Sequence, residues 1–304
     1  MSVEISGLAN GLTVVTHTMP HIETAAIGIW VKAGARDELP EENGIAHFLE
    51  HMAFKGTTRR SAQAIAEEIE NVGGEINAAT GMETTTYYAR VLKADWQLAL
   101  DILADIFTES TLDADEMERE RDVILQEIAA AKDQPDDLVF DLAQAASYGD
   151  HPLGRSILGP AHLIESLSRD QMAAWRDRNY WASRIVVCAA GNIDHQKLAK
   201  EAEKQLGHLQ QGQAPQRQSP TFMGHASFEQ KPLTAAPSLA RVAEIERRFE
   251  DSRIMVYIKR GASLAREFKW LGSYRYCLIN LGGHSVDDLE QRYHAARKEL
   301  AFRF

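Results

Sequence analysis

The chain of 304 residues has little that would mark it as secreted, membrane-embedded or disulfide-bonded. Its two cysteines, Cys188 and Cys277, provide no disulfide framework and fit a reducing compartment. The opening MSVEISGLANGL lacks both the apolar region of a signal peptide and the arginines of a transit peptide. The apolar run AAIGIWV at 25–31 is far too short to span a bilayer. These absences predict a cytoplasmic protein.

Basic residues are outnumbered by acidic ones, 33 to 44, and they are distributed unevenly. The formal net charge is −11, to which residues 1–214 contribute −16 and residues 215–304 contribute +5. An acidic body argues against nucleic acid as a partner and is compatible with basic peptides. The apolar fraction of 44% and the charged fraction of 25% are those of an ordinary globular protein with ample material for a core.

Turn and cap signals predict strands and helices that are mixed without regular alternation. Asn10-Gly11 is a hairpin dipeptide, Ser61 is typical of a helix N-cap, and Gly73-Gly74 is typical of a helix end. We predict strands over 12–18, 24–33, 75–92 (a pair) and 184–190, and helices over 61–72, 93–109, 113–131, 136–147, 169–179 and 194–206. This order favours an α+β fold over a doubly wound sheet.

The composition of GHLQQGQAPQRQSP, residues 207–220, is typical of a linker. We therefore predict a folded domain over 1–212, a linker over 213–235 and a C-terminal region over 236–304. The pattern in the last region is less regular, and no internal repeat is visible. Its recognisable pieces are two helix-like segments at 240–250 and 286–301 and the strand-like IMVYIK at 254–259.

Three titratable groups share one side of a predicted helix within GIAHFLEHMAFKGT, residues 44–57. At about 100° per residue, His47, Glu50 and His51 fall within roughly a 100° arc, and the opposite face is apolar. Two histidines at i and i+4 reach a single cation, and imidazole nitrogen is a preferred ligand of Zn²⁺. The order H-x-x-E-H is the inverse of the zinc-helix motif H-E-x-x-H. The alternative is a pair of histidines on a solvated face.

A catalytic zinc usually takes three protein ligands, so a further ligand is expected elsewhere. In the predicted helix 113–131, Glu120 and Glu127 lie almost eclipsed, on the same side as apolar residues such as Ile124. Carboxylates in an apolar stripe require a cation or a hydrogen-bond partner. The alternative is that both carboxylates are exposed at the edge of the stripe, and the pattern alone leaves both readings open.

The segment GIAHFLEHMAFKGT resembles the active-site segment of the M16 zinc metallopeptidases, the family of pitrilysin and the mitochondrial processing peptidase. In that family a glutamate follows the second histidine by about 76 residues as the third zinc ligand. The corresponding position here is Glu127, within ERERDVILQEI, and a second family acid seven residues earlier is Glu120. NAATGMETTTYYARVL and HPLGRSILGP resemble further family segments. The resemblance implies a mostly antiparallel sheet covered by helices.

The resemblance implies a zinc-dependent metalloendopeptidase that hydrolyses peptides or unfolded segments. His47, His51 and Glu127 would hold one Zn²⁺ per chain. Glu50 would be the general base that takes the proton of the attacking water. Glu120 would orient a ligand or tune its charge.

The resemblance also implies that an edge strand beside the zinc pairs with extended peptide substrate. The alternative is an ordinary edge strand with no such role. Phe54 would line the substrate pocket, or would belong to the core. The strand residues concerned are Asn77, Ala78, Ala79 and Thr80.

The resemblance extends over residues 3–215 and stops near residue 220. M16 peptidases are usually built from two homologous halves, and too few residues follow 220 for a complete second half. Residues 220–304 would then be a divergent, truncated or foreign segment, and a homodimer or heterodimer with a second M16-like half would complete the chamber. The alternative function is a non-catalytic or incomplete subunit that binds zinc or peptide. For Arg155, in the family-like GRSILG, the sequence indicates no chemical role.

Overall fold

A computed structural model describes residues 3–212, 216–222, 225–228, 239–248, 253–256, 277–281 and 286–300. Within these ranges no helix combines the length and the apolar character that crossing a membrane requires. The chain divides into two compact units, one formed by 1–132 with 155–218 and the other by 133–154 with 219–304.

The first unit is built on a six-stranded sheet. Its strands are β1 (Val3–Gly7), β2 (Thr13–Thr18), β3 (Thr24–Val31), β4 (Glu75–Thr80), β5 (Thr85–Leu92) and β6 (Ile185–Gly191). The strand order is β1-β2-β6-β3-β5-β4, in which β2 and β6 are parallel and the other neighbours are antiparallel. The predicted α+β class with a mostly antiparallel sheet is therefore confirmed.

Apart from the short α6, which the sequence analysis did not predict, the helices lie close to their predicted bounds. They are α1 (Ile45–Ala53), α2 (Ala62–Glu70), α3 (Trp96–Thr108), α4 (Ala114–Asp133), α5 (Pro135–Tyr148), α6 (Ala161–Ser166), α7 (Arg169–Asn179) and α8 (His195–Leu206). Ser61 caps α2 as predicted, because its side chain accepts a hydrogen bond from the Ala64 backbone N–H. Apart from α5 and the last residue of α4, these helices belong to the first unit.

The core lies between one face of the sheet and the helices. Ile27 and Ile29 of β3 are at most 2% exposed, whereas Trp30, which points to the opposite face, is 45% exposed. Helix α3 packs against β3 and β5 and buries Leu100 and Leu103. Because each fully buried side chain of this kind contributes about 1.5–3 kcal/mol, this layer holds the sheet and its edge strand β4 in place.

The second unit contains a three-stranded antiparallel sheet with the order β7-β9-β8. Its described elements after α5 are β7 (His225–Phe228), α9 (Leu239–Arg248), β8 (Arg253–Val256), β9 (Cys277–Leu281) and α10 (Val286–Leu300). The predicted helices at 240–250 and 286–301 correspond to α9 and α10. β7 lies inside the range 213–235 that the sequence predicts as a linker, and the predicted domain boundaries stay a prediction.

Candidate metal centre

Helix α1 presents its polar face because its apolar face is fixed in the core. The burial of Ile45, Phe48 and Met52 fixes the orientation of the helix about its axis. The opposite side of the helix is therefore half-buried. The helix begins after Gly44, whose φ is +101°, a region that favours glycine. A Cβ at Gly44 would also lie 2.7 Å from the backbone carbonyl oxygen of Leu158, so this entry to the helix disfavours any side chain.

Three ligand atoms from α1 and α4 converge on one point. His47 Nε2 lies 3.7 Å from Glu127 Oε2, and His51 Nε2 lies 3.8 Å from the same oxygen. One nitrogen or oxygen from each of the three residues lies within 4.8 Å of the others, which is a grouping that suits a metal ion. The two imidazole rings meet edge to face with centroids 4.6 Å apart. The structure therefore brings together the three side chains that the sequence predicts as ligands.

Helix α4 presents Glu120 and Glu127 differently. Ile124 and Ile128 are buried, which turns Glu120 inward until it is 7% exposed. The side chain of Glu127 is 42% exposed, so it lies at the rim of the site. Val123, next to Ile124, is 39% exposed and lies outside the buried stripe. The carboxylates are thus one buried group and one accessible group.

Glu120 joins His51 to a lysine. His51 Nδ1 donates to Glu120 Oε2 at 2.9 Å, and Lys55 Nζ lies 2.6 Å from Glu120 Oε1. Burial raises the pKa of Glu120, but the hydrogen bonds from Lys55 and His51 outweigh burial and hold the pKa below its ordinary value. Because a carboxylate accepts the Nδ1 hydrogen, the other ring nitrogen of His51, Nε2, is the one that faces Glu127, at 3.8 Å from its Oε2.

His47 is neutral at physiological pH. Burial, followed by the neighbouring His51, lowers the pKa of His47 to about 4. Its Nδ1 is buried and has no hydrogen-bond partner in the described part of the chain. A neutral imidazole with a free lone pair is the form that binds a metal ion.

Glu50 projects from the same face of α1, but its hydrogen-bond partner is Thr80 and not one of the three converging groups. Thr80 at the end of β4 donates its hydroxyl hydrogen to Glu50 Oε2. Burial raises the pKa of Glu50, while the hydrogen bonds from Thr80 act in the opposite direction. A half-buried carboxylate that is held beside a potential metal site has the position and basicity of a general base.

The edge of the sheet lies next to this carboxylate. Within the described ranges β4 pairs with β5 alone, so its other edge is not bonded to a neighbouring strand. Ala78 is buried, whereas Asn77 and Ala79 are exposed. Thr80, predicted to bind substrate, is the residue that holds Glu50.

Phe54 follows directly after α1 and is partly buried. It packs against the main hydrophobic core of the first unit, in agreement with the structural alternative that the sequence left open. Its predicted role in a substrate pocket stays a prediction.

Lys55 is a site residue that the sequence analysis missed. It follows His51 by four residues, just past the end of α1, and its partner Glu120 lies on another helix. The spacing of four residues after a candidate ligand was a usable signal. The sequence alone does not indicate that Glu120, among the acids of α4, is the buried one that pairs with Lys55.

Family comparisons agree with this geometry. The model described as Insulinase (Peptidase family M16) matches residues 13–161, and the model described as Peptidase M16 inactive domain matches residues 166–257. The two matched segments together cover more than half of the chain. They extend beyond residue 220, where the motif resemblance stops.

Several curated proteins are similar in sequence. The mitochondrial-processing peptidase subunit beta of Lentinula edodes is 46% identical over 243 residues, which are 80% of this chain and 51% of that protein. An uncharacterized zinc protease of Rickettsia felis is 45% identical over 229 residues, 75% of this chain and 56% of that protein. The chain thus spans about half the length of the curated relatives it matches.

Solved structures share the fold. A protease from Helicobacter pylori superimposes with a TM-score of 0.69 at 18% identity, covering 98% of this chain and 79% of the other. Pitrilysin gives a TM-score of 0.64 at 23% identity, covering 70% of this chain and 23% of its own. The family models, the sequence relatives and the shared fold agree, and the chain belongs to peptidase family M16.

Proposed function

We propose that this chain is the zinc-binding, catalytic part of a metalloendopeptidase that cleaves peptides or unfolded segments. The convergence of His47, His51 and Glu127 on one point, beside Glu50, carries the proposal. Relatives named as zinc proteases and as a processing peptidase support it. Since the chain spans about half the length of those relatives, the proposal concerns the part of such a protein that this chain represents.

The side chains present fit a zinc ion. Two nitrogens and one carboxylate oxygen form a donor set that zinc prefers in catalytic sites. Atoms that share one zinc lie at most about 4 Å apart, and the two histidine–carboxylate separations of 3.7 and 3.8 Å are within that limit. The His47 Nε2 that faces Glu127 lies 3.7 Å from its Oε2, too far for a hydrogen bond, which supports its availability to an ion.

His47, His51 and Glu127 would hold the ion, and Glu120 with Lys55 would keep His51 in the tautomer that binds it. When bound, Zn²⁺ supplies a Lewis acid that polarises a peptide carbonyl and makes water more acidic.

Glu50 carries out the proton transfers. Its carboxylate takes the proton of the attacking water and delivers a proton to the leaving amine. Thr80 donates its hydroxyl hydrogen to Glu50 Oε2 and also bonds to the carboxylate through its backbone, so it restricts the rotation of the side chain.

An extended peptide would bind along β4. The edge of β4 that is free of described strands offers main-chain N–H and C=O groups, and an added strand satisfies such groups by β-augmentation. Because Glu50 is bonded to Thr80 at one end of β4, a peptide paired with Asn77, Ala78 and Ala79 would pass close to the general base. The acidic character of residues 1–214 favours basic peptides.

A second candidate is a subunit that holds zinc and peptide but cleaves only with a partner chain. The observation in its favour is that the chain matches about half the length of relatives, some of them named as subunits. A second M16-like half, from a homodimer or a heterodimer, would then supply the remaining substrate contacts that orient the peptide bond.

Cleavage of a quenched, basic, unfolded peptide by the purified chain distinguishes the two candidates. We expect turnover that a zinc chelator abolishes and that added Zn²⁺ restores, with about one zinc per chain by elemental analysis. A folded, zinc-loaded chain without turnover would favour the subunit. A folded chain that does not bind zinc would contradict both.

Replacement of Lys55 by methionine tests the support of His51. Without the ammonium group Glu120 holds His51 less firmly, so we expect zinc affinity to fall about tenfold, the usual effect of losing a group behind a ligand. Competition with a chromophoric chelator measures the affinity. Lys204→Met, on the exposed face of α8 and also paired with a glutamate, is the matched control. Equal affinities in the two variants would show that Lys55 does not act on the site.

A further inference from the structure

The first turn of α1 has no capping side chain of its own. The N-cap position is Gly44, and the first turn that follows is Ile45-Ala46-His47. The first N–H groups of any helix lack partners within the helix and must be satisfied from outside. The N-terminal end of α1 bears directly on the site, because His47 lies in its first turn.

A buried glutamate from upstream supplies the cap. Glu38 is 3% exposed and accepts hydrogen bonds from the backbone N–H groups of Gly44 at 3.0 Å and Ala46 at 2.9 Å. Its Oε2 also accepts from Asn43 Nδ2 at 2.9 Å. Burial raises the pKa of Glu38 to about 7, while the hydrogen bonds from Ala46, Asn43 and Gly44 act in the opposite direction and favour the carboxylate at this helix N-terminus.

The loop at 155–159 forms hydrogen bonds to Glu38 and Asn43. Arg155 Nη2 donates to the backbone carbonyl of Glu38 at 2.6 Å, and Asn43 Nδ2 donates to the carbonyl of Ser156 at 2.9 Å. Gly159, with a φ of +72°, approaches so closely that a Cβ there would lie 2.3 Å from the Asn43 carbonyl oxygen. The family-like loop GRSILG therefore forms hydrogen bonds with the residues just before α1.

We propose that Glu38, held by Arg155, is a positioning residue that fixes the first turn of α1 and so directs His47 toward Glu127. The inference rests on the proposed function, because it concerns the residue that would be a zinc ligand. Ala46, one of the two capped amides, immediately precedes His47. A shift of this turn would move the His47 nitrogen away from Glu127 Oε2, from which it lies 3.7 Å, while leaving His51 one turn further along.

Glu38→Gln tests the proposal with little change in volume. All three groups around the carboxylate are N–H donors, so the amide nitrogen of glutamine would face a donor and break at least one hydrogen bond. We expect the affinity of the folded chain for Zn²⁺ to fall about tenfold. We also expect faster amide hydrogen exchange over residues 44–50 in the metal-free chain, a readout that requires no activity.

Asp194→Ala is the control for the loss of a helix cap. Asp194 caps α8 by accepting from the Lys197 N–H at 2.9 Å, and alanine offers no acceptor, so this variant loses its cap in a helix that carries none of the site residues. We expect it to lower the melting temperature and to leave zinc affinity within about twofold of the wild type. A lower melting temperature with unchanged zinc affinity in Glu38→Gln would show that Glu38 only stabilises the fold, and would overturn the proposal.

Arg155→Lys decides the question if Glu38→Gln does not fold. Lysine keeps the charge but does not reproduce the guanidinium hydrogen bond to the Glu38 carbonyl. Weaker zinc binding and faster exchange at 44–50 would support the proposal, and wild-type values for both would contradict it. A wild-type chain that binds no zinc refutes the proposed function and the inference with it. Normal zinc binding by the wild type with no effect of the variants refutes the inference alone.

Discussion

The Glu50→Gln variant is expected to bind zinc as tightly as the wild-type chain and to cleave a quenched peptide about 1,000-fold more slowly. The two effects separate because Glu50 lies on the face of α1 that holds the ligands but is not one of the three converging groups. Glutamine keeps the size of the side chain and its contact with Thr80, but its amide does not accept a proton at neutral pH.

The surroundings of Glu50 make this loss a chemical effect rather than a structural one. The carboxylate is half-buried, and burial disfavours its charged form. A neutral amide of the same size therefore fits this environment without leaving an unpaired charge. The Thr80 hydroxyl finds an acceptor in the glutamine carbonyl oxygen. The folded state should therefore persist, and the missing function is the proton transfer that general bases supply.

Single-turnover and steady-state assays on zinc-loaded protein, with elemental analysis of the same sample, measure both quantities. Glu70→Gln, on the exposed face of α2, is the matched control and should leave cleavage and zinc content unchanged. Cleavage by Glu50→Gln at a rate near that of the wild type would remove Glu50 from the reaction. Loss of zinc would assign it to the metal site instead.

The local part of the site was predictable from sequence because its geometry is local. The spacing of His47, Glu50 and His51 places them on one helix face, and the apolar residues between them fix which face is buried. The choice of Glu127 as a further ligand came from the family resemblance. The stripe on α4 supported it but did not distinguish Glu127 from Glu120.

The parts that sequence did not predict depend on contacts between distant segments. Lys55 approaches Glu120 across two helices, and Glu38 reaches α1 from an irregular stretch with no periodic signal. Thr80 was predicted for substrate binding, and only the packing of α1 near β4 shows that it bonds to Glu50. Periodicity reports which face an element buries, whereas these pairs depend on how the elements are arranged in three dimensions. The cytoplasmic location stays a prediction.

The His51→Ala variant is expected to lose zinc binding and cleavage together. His51 is one of the two imidazoles of the group, and its removal leaves His47 and Glu127 as the remaining pair. Replacing a group behind a ligand costs about 10–100-fold in affinity, so the loss of a ligand itself should exceed about 100-fold. The variant should still fold, because Glu120 keeps its ion pair with Lys55 at 2.6 Å.

Thermal unfolding with and without Zn²⁺ gives a measurement that does not depend on a substrate. At a zinc concentration 100 times Kd, binding stabilises the wild-type chain by about 2.7 kcal/mol, which corresponds to a rise in Tm of roughly 5–10 °C. His51→Ala should show no rise at that concentration. His208→Ala, which removes an exposed histidine just after α8, should behave as the wild type. A zinc-dependent rise in His51→Ala equal to that of the wild type would place the metal elsewhere, whereas its loss in that variant alone would locate the ion at the meeting point of α1 and α4.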